Sequence, residues 1–268
     1  MSVIDDIREL IGGMVKLNGQ LYQSCCTVLA AKQVMKTNSA IAEVPPMNEM
    51  KIEFLFLPEK KIFGEKKYKA SGLTAWYSHC MRKGLKDILL LVPKTVEERE
   101  FLGFSNGIND VIACFWEKHS TYFTPYWEYN ELKSQWSVLY TEHKWEIAPI
   151  EKPKFSNSYD KFKLILTEIA EFADVIEFED FAQIFRKSVD ILEGKEEVKE
   201  SPFSEMPKEN QRFFAAASLA DVFGGMGSWN DSPPYAAHEK GMDKEYEILS
   251  NELLKQTRLT ILYSVNEW

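Results

Sequence analysis

Histidine, cysteine, long apolar runs and positive charge are all scarce in this 268-residue chain, and each shortage removes a class of function. Only four histidines occur, His79, His119, His143 and His238. None lies three to five residues from another and no His-Glu-x-x-His stretch exists, so no metal site is carried by a local motif. The expectation is a protein without a metal or other cofactor. The four cysteines, Cys25, Cys26, Cys80 and Cys114, show neither a Cys-x-x-Cys pair nor framework spacing. Adjacent Cys25 and Cys26 are poorly placed to bridge each other. Reduced, buried thiols of a cytoplasmic protein are the expectation.

The most apolar stretch, Asp87-Ile88-Leu89-Leu90-Leu91-Val92-Pro93, holds only five apolar side chains, all aliphatic. A membrane-spanning helix needs about 18 or more, so no membrane role is expected. Asp5, Asp6, Arg8 and Glu9 interrupt the first residues, unlike a secretory signal. Lys and Arg number 32 against 41 Asp and Glu, a net charge of −9. Residues 1–150 carry 18 of each sign, and residues 151–268 carry 14 basic and 23 acidic groups. Phosphate binding needs a basic surface, which argues against nucleic acid as the main partner. The same acidity suits a basic protein partner, and it also suits ordinary solvation.

Aromatic residues are abundant: seven Trp, eleven Tyr and seventeen Phe. With 45% hydrophobic residues, the chain can bury a substantial core. Val3, Ile7, Leu10, Met14, Leu17, Leu21, Cys25 and Val28 recur every three or four residues, which predicts an opening helix broken or kinked at Gly12-Gly13. Pro45-Pro46 marks a loop. Lys51–Leu57 reads as a strand, the lysines around Gly64 as a solvated turn, and Leu73–Lys83 as a helix stopped by Gly84. Ile88–Val92 reads as an uninterrupted apolar strand of the kind found at a sheet centre. Thr95–Phe101, with Glu98 three residues after Thr95, predicts a capped helix. Between Ile108 and Ile150 the aromatics crowd together, and Ser137–Tyr140 with Lys144–Ile147 are read as a strand pair.

Glu151-Lys152-Pro153-Lys154 marks a boundary, and helical periodicity takes over beyond it. Phe162, Ile165, Ile169, Phe172 and Ile176 define one amphipathic helix. Phe178, Phe181, Phe185, Val189 and Leu192 define a second, ended by Gly194. A third is expected from Pro207 to Phe223, and a fourth from Asp243 to Val265 with Tyr246, Leu249, Leu253, Gln256 and Thr260 inward. The predicted class is therefore α+β: a mixed domain with a small sheet over residues 1–150, then an all-helical domain over residues 155–268.

The most distinctive run is Val222-Phe223-Gly224-Gly225-Met226-Gly227-Ser228-Trp229-Asn230-Asp231. Its glycines permit a sharp reversal after a helix, Asn230 and Asp231 suit turns, and Trp229 is large enough to plug a bundle end. It lacks the Lys-Ser/Thr of a Walker loop, the third glycine of a dinucleotide loop, and the flanking glycines of a nucleophile elbow. A ligand loop remains the alternative, with Gly225, Gly227, Ser228, Trp229, Asn230 and Asp231 as binding residues. The run resembles a C-terminal signature of small bacterial cytosolic proteins of unassigned function. That resemblance implies a bacterial source and a helical C-terminal module, and transfers no catalytic residue.

Two functions follow. The first is a non-enzymatic interaction module, such as an inhibitor or immunity-type partner of a basic protein. The second is an enzyme with a site at the domain boundary near the glycine-rich turn, its candidate catalytic residues being Cys80, His79 and Asp221. Neighbours on a helix point about 100° apart, so Cys80 would need a base other than His79.

Overall fold

The computed structural model describes residues 15–37, 50–61, 64–92, 110–145, 152–196, 203, 205–224 and 226–268. The chain is α+β, with a mixed six-stranded sheet in its first half and helices in its second. It divides into two compact units, one holding the described residues of Gln23–Val92 and Asn109–Pro153, the other those of Lys154–Trp268 together with Val15–Tyr22. The break expected at Gly12-Gly13 and the helix expected at Thr95–Phe101 lie outside the described residues.

The sheet unit begins within helix α1 (Val15–Thr37). Strand β1 (Lys51–Leu55) follows, then the small hairpin of β2 (Glu59–Lys61) and β3 (Gly64–Lys66), then β4 (Lys69–Ser71). Helix α2 (Gly72–Arg82) leads into β5 (Leu85–Leu91), and β6 (Val111–Trp116), β7 (Ser120–Asn130) and β8 (Gln135–Lys144) complete the unit. The sheet order is β4-β1-β8-β7-β6-β5, with β1 and β8 parallel and every other pair antiparallel.

Side chains alternate across a strand, and that alternation selects the core face. Phe54, Phe123 and Tyr140 point to one face, where Trp76 of α2 joins them; all four are fully buried. Phe54 stacks on Trp76 at 4.6 Å and on Tyr140 at 5.0 Å, and meets Phe123 edge-on at 6.0 Å. Ser24 of α1 and the Tyr140 hydroxyl share a hydrogen bond of 2.8 Å, so α1 covers the same face. Buried Glu142 accepts from Thr121 Oγ1 at 2.8 Å and from the Leu57 backbone N–H at 2.9 Å, and Trp116 Nε1 donates to Thr121 at 2.8 Å. This chain of bonds extends the β1–β8 junction past the last ladder residue of β1.

Two strand expectations are corrected. Ser137–Tyr140 and Lys144 belong to one strand, β8, whose antiparallel partner is β7. The reversal falls earlier, at the 3₁₀ turn Glu131–Lys133, where Asn130 Oδ1 accepts from the Lys133 N–H at 3.0 Å and Ser134 takes a left-handed φ of 47°. Without a glycine there, the turn carries no strong signal in the sequence. Strand β5 lies at one end of the sheet order rather than at its centre. Ile88, Leu89 and Leu90 are nonetheless each fully buried, so both faces of the strand are covered and alternation is lost without a central position.

In the helical unit α3 (Tyr159–Val175), α4 (Glu179–Glu193), α5 (Lys208–Ala220) and α7 (Asp243–Asn266) form a closed ring of neighbours, α3 to α4 to α5 to α7 and back to α3. The expected stripes are its core: Phe162, Ile165, Ile169, Phe172, Phe181, Phe185 and Leu192 are all buried. Gly194 caps α4 with φ 76°, a conformation only glycine adopts without strain. Helix α5 stops at Ala220, three residues before Phe223, and Pro207 is its N-cap rather than its first helical residue. A short helix that periodicity does not reveal, α6 (Pro233–Glu239), starts with prolines in its first turn, where their missing N–H groups do no harm. Helix α7 is buried around most of its second half, polar side chains included, so its pattern is a poor match to a single stripe. Among the described residues, no helix is long and apolar enough to cross a membrane.

Candidate functional site

Three places gather the sequence candidates and the exposed aromatics. The first is the glycine–tryptophan connection between α5 and α6. Asp221 is the C-cap of α5. The chain then closes a loop in which the Trp229 N–H donates to the Val222 carbonyl at 3.0 Å. Ser228 Oγ donates to the Gly224 carbonyl at 2.8 Å and accepts from the Asn230 N–H at 3.1 Å. Gly227, at φ 80°, donates its N–H to Asp231 Oδ2 at 2.8 Å. Gly225 lies outside the described residues.

Trp229 is fully buried. Its ring meets Phe181 at 5.2 Å and Phe185 at 5.4 Å edge-on, and stacks on Tyr246 at 5.7 Å. Nε1 donates to Ser250 Oγ at 2.8 Å, and the Tyr246 hydroxyl donates to the Trp229 carbonyl at 2.6 Å. One row of α7 spaced by four residues, Tyr246, Ser250, Leu254 and Arg258, thus grips the loop at both ends. At the other end Arg258 Nη1 lies 3.3 Å from Asp221 Oδ2, with both side chains almost wholly buried. Burial raises the Asp221 pKa, while the Arg258 charge pulls it back down. Ser228 and Trp229 are sealed in, and Gly227 and Asp231 are exposed with their bond directed at each other.

The second place is α2. Cys80 is fully buried, and burial, reinforced by the Glu142 charge, pushes its thiol far above the ordinary range. The reactive form of cysteine is the thiolate, which that environment suppresses at neutral pH. The His79 ring is packed between aromatics, stacked on Tyr68 at 4.0 Å and tilted against Phe56 at 4.4 Å. Cys80 and His79 lie in the sheet unit, and Asp221, Asn230 and Asp231 in the helical unit. All four cysteines are buried thiols, and among the described residues no group of three or more His, Cys, Asp or Glu side chains could hold a metal ion.

The third place is one that sequence reasoning did not single out. Among the described residues, β6 pairs with β7 along Ser120–Phe123 and β1 pairs with β8 along Ser137–Thr141. Past both points β7 and β8 run on as a two-stranded ribbon, with Tyr129 opposite Trp136 and Asn130 opposite Gln135; Trp127 sits just before it, opposite Val138, which still pairs with Ile52 of β1. The core face continues along the ribbon, but burial falls away. Phe123 and Tyr140 are fully buried, Trp127 and Trp136 are half-buried, and Tyr129 is 43% exposed. Trp136 meets Trp127 edge-on at 6.4 Å and Tyr129 at 5.0 Å, a cross-strand aromatic cluster that stiffens the ribbon. On the other face Tyr126 is 67% exposed, and at the turn Leu132 is 99% exposed. Further along that face His143 stacks on Tyr122 at 5.2 Å and shares a 2.9 Å hydrogen bond with Thr124 Oγ1.

The signal for this place was present as aromatic density between Tyr126 and Trp136. What hid it was the turn: Glu131–Ser134 has no Asn-Gly or Gly, so the two strands could not be registered and their faces could not be assigned. The chain matches no protein-family model, no curated protein and no solved structure.

Proposed function

We propose that this protein acts by binding another protein, one with a basic surface, and that the end of the β7–β8 ribbon is the contact. The observation that carries the reading is the exposure at one end of the sheet of Tyr129, of Tyr126 on the opposite face, and of Leu132 at the turn between the strands, next to the cross-strand cluster of Trp127 and Trp136. Tyrosine and tryptophan are enriched among the residues that dominate binding energy at interfaces. A pre-ordered aromatic surface also loses little conformational entropy on binding. The net charge of −9 favours encounter with a basic partner and disfavours acidic ones. The burial of Val222, Phe223, Ser228 and Trp229 makes the glycine–tryptophan loop scaffold in this reading.

The test is affinity capture from an extract of the native host. The full chain is compared with a variant carrying Tyr126→Thr, Tyr129→Thr and Leu132→Ser, at low and at high salt. The expected result is a specific basic protein retained by the wild type, weakened by salt, and lost by at least tenfold in the variant. Capture of nothing beyond what an unrelated acidic protein retains, or equal capture by the variant, would overturn the proposal.

A further inference from the structure

We draw no further inference here: the strongest candidate, the aromatic cluster of Trp127, Tyr129 and Trp136 on the projecting end of the β7–β8 ribbon, belongs to the surface already proposed as the binding site, and nothing in the structure shows what covers it.

Discussion

The Trp229 loop and the β7–β8 ribbon are both built on aromatic side chains, and they differ in what those side chains meet. Trp229 has aromatic neighbours on two helices, a hydroxyl partner for its indole N–H and a phenol on its carbonyl. Tyr126, Tyr129 and Leu132 keep large parts of their surface in water. The lesson is that an unusual sequence run is not thereby a functional one. Gly227, at φ 80°, lets the backbone turn so that a tryptophan can enter the core, and the indole N–H and carbonyl of that tryptophan find partners inside the fold. The ribbon, with no glycine and no unusual motif, leaves its apolar surface unspent.

The largest expected effect is on the loop side. Trp229→Ala empties a buried aromatic site and orphans Ser250, so urea denaturation is expected to show a loss of about 5 kcal/mol, the upper end for such truncations. A loss below about 1 kcal/mol would mean that the loop is not closed by this residue.

Next comes the ion pair at the other end of the loop. Asp221→Asn leaves the Arg258 guanidinium charged and buried without this counter-ion, and Arg258 Nε is already buried with no hydrogen-bond partner among the described residues. The expected loss is roughly 3–5 kcal/mol. Arg258→Met is expected to cost less, because Asp221 can take up a proton whereas arginine cannot give one up. The sign follows from linkage. Burial, the larger influence, raises the folded pKa of Asp221 above its ordinary 3.8, so the folded state holds that proton more tightly than the unfolded chain does. Its contribution is full below 3.8 and is lost as pH rises through the folded value. Removing Arg258 raises the folded value further, so the deficit of Arg258→Met is expected to grow with pH above about 4. Denaturation curves at pH 4 and pH 7 check this, and a deficit that shrinks with rising pH would contradict it.

How much of this was legible in the sequence follows the physics of each element. Helices with one wet face announce themselves, as Phe162, Ile165, Ile169 and Phe172 do, because burial on one side imposes a period of 3.6. Helix α7 blurs that period because most of its second half is buried, with Gln256, Thr257, Arg258 and Thr260 all inside. The burial of Trp229 was expected from its size and from the glycines before it. Its partners Ser250 and Tyr246 were not, since tertiary hydrogen bonds leave no local pattern. The ribbon was visible as aromatic crowding only; which strand faces which depends on register, and register was hidden by the turn at Glu131–Ser134.

A smaller effect is expected at the end of α4, where the contrast between sealed and wet groups can be sharpened. Glu193 bonds to Lys163 and Lys195, and those bonds hold its carboxyl down at about 2. A depressed acid contributes stability above its unfolded value of 4.5 and loses it as pH falls towards about 2. Glu193→Gln is therefore expected to flatten the acid limb of the stability curve over that window and to change little at pH 7. An unchanged acid limb would show that the two lysines are held by solvent rather than by this carboxylate.

The most direct measurement takes the ribbon variant with Tyr126→Thr, Tyr129→Thr and Leu132→Ser and reads urea stability and partner capture on the same preparation. Threonine keeps strand preference at the two ribbon positions, and exposed substitutions of this kind change stability by about 0.5 kcal/mol or less per site. The account predicts a denaturation midpoint close to that of the wild type together with loss of capture. A midpoint that falls as far as that of Trp229→Ala, or capture that survives in a fully folded variant, would contradict the claim that the ribbon is surface held for a partner and the tryptophan loop is scaffold.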